Sequence, residues 1–304
     1  MPIIDSQVHA YEANTPKRPW HNVPNWPPHV TGDEMVAAMD KVCVDGAIFI
    51  SAHSLYHYAA SYAVEVQRAH PGRLAIVKPV DSNDPAVADV IADWKNTPGA
   101  VGIRIMMRSD AAHARSDEGV DRILRAAVRH DFPVNLSCAG NLDGATALID
   151  RYPDTRFIVD HLGLTQPRTP PAPPQPWAEL PKLLALAKRK NAVVKVSGAC
   201  TLSHEPFPFN DIWDPLARVF EAWGFDRCLW GTDWTRAHAV VQYAPAVEAF
   251  RQTQRISDSE RAMLMGGRAP RHIAGRRRRG KIAGALRRRI SRRAGEFLKN
   301  KIKQ

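Results

Sequence analysis

Eight short runs rich in Val, Ile, Leu and Ala recur along the chain: Ile3–Val8, Gly46–Ser51, Leu74–Val80, Ala100–Met106, Pro133–Ser137, Arg156–Asp160, Ala192–Val196 and Cys228–Trp230. None alternates cleanly between apolar and polar positions. Near-continuous apolar strands are covered on both faces, as in a parallel sheet overlaid by helices. Helical spacing fills the gaps, at Asp33–Lys41, Tyr58–His70, Asp84–Lys95, Asp117–His130, Leu142–Tyr152, Glu179–Lys190, Ile212–Trp223 and Ala246–Gln254. Asp117 precedes Val120, Ile123, Leu124 and Ala127, spaced for one helix face. Asp84-Pro85 has the form of an N-cap with proline in the first turn. Eight strand–helix units predict an α/β fold, a single-domain (β/α)8 TIM barrel over residues 1–267. A doubly wound open sheet is the rival, but its glycine-rich phosphate turn is missing.

Charge separates this body from the C-terminal segment. Of the 42 Lys and Arg, 14 lie in Arg271–Gln304 with one acid, Glu296, whereas the other 270 residues hold 28 bases and 30 acids. The net charge of +11 thus belongs to a basic tail, 268–304, and not to the barrel. Ile282, Leu286, Ile290 and Phe297 give that tail a weak amphipathic pattern, compatible with non-specific binding to nucleic acid or an anionic membrane, or with a disordered end. An altered reading frame at the gene's 3′ end would produce the same abrupt change. No apolar run approaches a membrane span, and no signal peptide is visible. Cys43, Cys138, Cys200 and Cys228 form no C-x-x-C pair and read as reduced thiols, so a cytoplasmic protein is expected. Oligomeric state is left open, a homo-oligomer included.

Strand ends carry the candidate chemistry, because barrel enzymes keep their sites at the C-terminal rim. Asp5, Gln7 and His9 are expected on one face of the first strand by period-two spacing. Arg104 interrupts an apolar fourth strand, Asp160-His161-Leu162-Gly163 ends the sixth, Lys195 lies on the seventh, and Asp233 follows the eighth between Trp230 and Trp234. Singly, each has a structural reading: a capping Asp, a core His, a snorkelling Lys. Together they point to one shared site. Around it, Tyr11–Val30 with Trp20, His21 and Trp26 reads as a stiff lid, Thr165–Trp177 with six prolines as a border of the mouth or a linker, and Cys200–Asn210 with His204, Phe207 and Phe209 as further rim.

The motifs Asp5-x-Gln7-x-His9, Asp160-His161-Leu162-Gly163, Lys195-x-Ser197-Gly198 and Gly231-x-Asp233-Trp234 resemble the amidohydrolase-related family of the amidohydrolase superfamily, nearest the branch similar to 2-pyrone-4,6-dicarboxylate lactonase. The resemblance runs from Ile3 to about Gly267. It implies an enzyme that hydrolyses a small, carboxylated lactone or related ester or amide. Family members place a His-x-His pair on the first strand, often as ligands of a divalent metal. Here Gln7 replaces the first His, and Asn135-Leu136-Ser137-Cys138 stands where many members have His or Lys. The lactonase branch works without metal, and the Gln7 departure leans the same way. One Zn held by His9, His161 and Asp233 is the alternative. On this reading Asp233 is the general base, its pKa raised by flanking indoles, and His9 and His161 polarise the carbonyl. Arg104 pins a substrate carboxylate, Lys195 neutralises it or braces Asp233, and Gln7 lies on the substrate side. Arg108, His53, His57, Arg236 and His238 lie on neighbouring loops without an assigned role. Metal-dependent decarboxylation is the second enzymatic reading, and polyanion binding through the tail is the non-enzymatic one.

Overall fold

The computed structural model describes residues 2–21, 26–107 and 118–266. Eight strands run in chain order around one sheet: β1 (Ile4–Val8), β2 (Gly46–Ile50), β3 (Leu74–Pro79), β4 (Ala100–Met106), β5 (Val134–Ser137), β6 (Phe157–Val159), β7 (Ala192–Ser197) and β8 (Cys228–Gly231). Each is parallel to the next. Backbone bonds just past β8 close the seam: His9 N–H donates to Trp234 O at 2.7 Å, and Asp233 N–H donates to Gln7 O at 2.9 Å. The fold is a (β/α)8 barrel, as the alternation of apolar runs and helical spacing predicts. That seam also sets His9 and Asp233 side by side.

Helices cover the outside: α1 (Gly32–Lys41), α2 (His53–Tyr56), α3 (Ser61–Ala69), α4 (Val87–Lys95), α5 (Glu118–Arg129), α6 (Leu142–Arg151), α7 (Leu180–Leu186), α8 (Trp213–Trp223), α9 (Tyr243–Gln252) and α10 (Asp258–Gly266). Local chemistry explains several boundaries. Thr31 Oγ1 accepts from Glu34 N–H while Glu34 Oε2 accepts from Thr31 N–H, a reciprocal cap that starts α1. Asp84 instead caps a turn, accepting from Ala86 N–H at 2.8 Å, so α4 begins three residues later than Asp84-Pro85 suggests. The helix expected over Tyr58–His70 is the single helix α3, and the short α2 that precedes it ends at His57, whose φ is 47°. α10 gives no clear periodic signal in the sequence, because its apolar positions are few.

Two apolar layers result. Ile4, Ile48, Ile50, Ala75, Val77, Ile158, Val193 and Leu229, from six strands, pack on one another inside the barrel. A larger set joins the strands' outer faces to the helices. Ile4 faces the lumen, so Asp5 faces the helices, where it meets Thr232 and Tyr243. Three steps of β1, from Asp5 to Val8, then span two steps of β2, from Ala47 to Phe49, and this bulge returns Gln7 to the lumen. The expected common face for Asp5, Gln7 and His9 is thereby corrected: Gln7 and His9 share it and Asp5 does not. No helix among the described residues is long and apolar enough to cross a membrane. Arg108 and the basic tail lie outside the described residues, as do the tail's expected roles.

Candidate active site

Asp233 is fully buried and holds φ 57°, a left-handed conformation that costs an L-residue roughly 1–2 kcal/mol. His161 (φ 54°) and Leu162 (φ 61°) precede Gly163 (φ 65°) in the same conformation, so β6 is followed, after Asp160, by three successive left-handed residues. Two of the three residues expected to be catalytic are thus held in backbone that costs energy. Such positions cluster at functional sites.

Around Asp233 the polar groups are ordered by their hydrogen bonds. His9 Nδ1–H donates to Ile50 O at 2.8 Å, and its Nε2 accepts from Gln7 Nε2 at 3.4 Å, a tautomer assigned from this network. That Nε2 lies 3.3 Å from Asp233 Oδ1. His161 Nδ1 is 2.9 Å from Ser197 Oγ and 3.5 Å from Asp233 Oδ2, while its Nε2 accepts from Arg104 Nη2 at 3.3 Å. Burial depresses the His161 pKa to about 4, with Arg104 and Arg236 reinforcing it against Asp233 and Asp160. The imidazole is neutral at pH 7.

Arg236 Nε donates to Asp233 Oδ2. Burial alone would raise the Asp233 pKa, but the charge of the Arg236 guanidinium outweighs it and holds the carboxyl well below the ordinary range. This corrects the expectation of a base raised by indoles. The indoles turn toward α9 instead, Trp230 lying 6.3 Å from Phe250 and Trp234 5.4 Å from Tyr243.

A buried ion network lies alongside. Asp160 Oδ2 accepts from Arg104 Nε at 2.8 Å, Asp160 Oδ1 lies 3.0 Å from Lys195 Nζ, and Lys195 Nζ donates to Gln7 Oε1 at 2.7 Å. A cavity of about 200 Å³ opens at the strands' C-terminal ends. Lys195 and Gln7, expected on the substrate side, are fully buried, pair with each other and line no part of it. Arg104 belongs to both the network and the cavity wall.

His9, Arg104 and His161 line the cavity, together with Arg168, Gln166 and Arg236. Trp26 stacks over His9 at 6.2 Å and over Tyr11 at 5.2 Å, while Tyr11 and Val30 bond backbone to backbone, so the described part of the segment expected as a lid packs over His9. The proline-rich segment borders the mouth through Thr165, Gln166 and Arg168. His204, Phe207 and Phe209 do not line it. Sequence reasoning misses Arg168, since a lone Arg among prolines gives no periodic signal. It names Arg236 without a role, although a position three residues after Asp233 is within reach of the carboxylate.

His9, His161 and Asp233 come together, as the metal alternative requires, but their donor atoms are engaged by Ile50, Gln7, Ser197, Arg104 and Arg236. Only Asp233 Oδ1 lacks a hydrogen-bond donor. Among the described residues, no three His, Cys, Asp or Glu side chains are arranged to hold a metal ion. Three guanidiniums already supply the positive charge. This donor set does not fit a metal.

Among known proteins, 4-sulfomuconolactone hydrolase of Hydrogenophaga intermedia is 25% identical over 237 residues, covering 76% of this chain and 73% of that one. A probable 2-pyrone-4,6-dicarboxylic acid hydrolase of Acinetobacter baumannii, crystallised with citric acid, superposes with a TM-score of 0.69 at 19% identity, covering 87% of this chain and 96% of the other. An amidohydrolase of Burkholderia multivorans with bound zinc gives 0.70 at 20% identity, covering 88% and 97%. Both likenesses support the barrel. A family model described as amidohydrolase matches residues 5–271, and the chain is therefore an enzyme that belongs to the amidohydrolase family.

Proposed function

We propose that this enzyme hydrolyses the ring ester of a small lactone bearing an anionic substituent. One observation carries the reading: His9, Arg104 and His161, distant in sequence, line a cavity with room for a single-ring molecule and walled by three guanidiniums, with Asp233 directly behind the two imidazoles. The lactone hydrolases among its relatives act on anionic rings, in keeping with that charge. Water attacks the carbonyl carbon while Asp233 takes its proton. Collapse of the tetrahedral intermediate breaks the ring C–O bond, and Asp233 returns the proton to the departing oxygen. Arg104 faces the developing oxyanion, because His161 is neutral and accepts from Arg104 rather than presenting a charge. His161 aims the carboxylate, His9 flanks it, and Arg168 receives the substrate's anion. No step passes through a metal.

The test is an assay of purified enzyme against 2-pyrone-4,6-dicarboxylate, 4-sulfomuconolactone and an uncharged lactone, with and without chelator. Loss of lactone absorbance, release of one proton per ring and a ring-opened product are expected, unaffected by chelator. Evolution of CO₂ with no ring-opened acid would replace hydrolysis by decarboxylation.

A further inference from the structure

Asp233 does not itself line the cavity. Its Oδ2 is covered by Arg236, which does line it, so the guanidinium stands between the carboxylate and any water held against a substrate. The remaining Arg236 nitrogens are fixed to the segment after β6: Nη1 donates to Pro167 O at 3.0 Å and Nη2 to Gln166 Oε1 at 2.8 Å. Gln166 Nε2 in turn donates to Ser197 O at 2.9 Å, anchoring the pair on β7. Space for this arrangement is built in. At Gly198, whose φ is 65°, an added Cβ would lie 2.2 Å from Gln166 Oε1 and 3.1 Å from Arg236 Nη2.

With Oδ2 so covered and Oδ1 buried out of reach of the cavity, the carboxylate cannot accept a proton from water until the guanidinium moves, and a guanidinium leaves a buried carboxylate readily only for another anion. Arg168, on the same segment, lines the same cavity, so an entering anion meets cations where Arg236 is held. We propose that Arg236 is the specificity-determining residue of this site: it covers Asp233 at rest and transfers to the anionic substituent of an entering substrate, which uncovers the base. The inference rests on the lactone-hydrolase reading for its chemistry, while the movement itself does not require turnover. A neutral lactone gives Arg236 no new partner and leaves Asp233 covered.

Two measurements test this. The first is a crystal structure of the wild-type enzyme with citrate as an unreactive polyanion. Arg236 Nε should be bonded to a citrate carboxylate and out of hydrogen-bond reach of Asp233 Oδ2. An Arg236 still on Asp233, or no citrate in the cavity, overturns the proposal. The second compares wild type, Arg236→Gln and Arg236→Lys on a carboxylated lactone and its methyl ester. Arg236→Gln should raise kcat on the ester by about tenfold and raise KM for the acid, collapsing the preference for the anion. Arg236→Lys should keep that preference. Equal loss on both substrates in Arg236→Gln would make Arg236 merely structural and refute the gate. If wild type hydrolyses neither compound while citrate still draws Arg236 away, the hydrolase reading fails and the gate stands.

Discussion

Replacing Asp5 by asparagine should change how stability depends on pH. Asp5 is fully buried beneath the β1–β8 seam, and burial pushes its carboxyl up to about 7 despite hydrogen bonds from the Thr232 side chain and the Gln7 and Thr232 amides. In the unfolded chain the same group ionises near 3.9. Between those values the folded protein holds a proton that the unfolded chain releases. The resulting stabilisation is complete below about pH 4 and is lost as pH rises toward 7. Three pH units at 1.36 kcal/mol each make the loss roughly 4 kcal/mol, an upper figure. Asparagine does not titrate. The stability difference between wild type and Asp5→Asn should therefore shift by roughly 3 kcal/mol against wild type between about pH 4.5 and 8, read from urea unfolding. A difference constant to about 0.5 kcal/mol, or one moving the other way, would refute the raised carboxyl.

Asp160→Asn leaves Arg104 and Lys195 buried without their counter-charge, and should cost roughly 3–5 kcal/mol in chemical denaturation. Adding Lys195→Met should recover part of that loss. Because Lys195 and Arg104 outweigh burial and hold the Asp160 pKa below its ordinary value, its contribution is present at neutral pH and is lost only as pH falls below the unfolded carboxylate range. Arg104→Met should lower kcat by roughly a hundredfold on the proposed lactones, whereas an effect confined to KM would move Arg104 from the reacting carbonyl to the substrate's anion. Gly231→Ala places a Cβ 2.9 Å from Ser6 Oγ and 3.1 Å from both Asp5 Oδ1 and Gln7 N. It should depress turnover more than it depresses Tm, and equal loss would show that the seam has no special link to Asp233.

The barrel is legible because parallel strands buried on both faces read as apolar runs, and β4 matches its predicted span of Ala100–Met106 residue for residue. The site is legible in part. His9, His161, Arg104 and Asp233 stand out as polar groups at the ends of apolar runs. Asp5 falls on the other face because a bulge inserts one residue, and period-two counting has no means of registering that. Gln7 and Lys195 carry the same sequence signal as His9, yet they complete a buried ion network, a distinction set by where Asp160 lies across the barrel. The environment of Asp233 escapes the sequence for a similar reason. Adjacent Trp residues alternate away from it, while Arg236 comes back to it from a turn. Arg168 is invisible because its partners lie on other elements.

The direct test concerns whether Asp233 exchanges the proton during lactone opening. Asp233→Asn should fold with unchanged secondary structure and lose roughly 10²–10⁴-fold in kcat on whichever anionic lactone the wild type hydrolyses. A variant within about threefold of wild type would contradict the account.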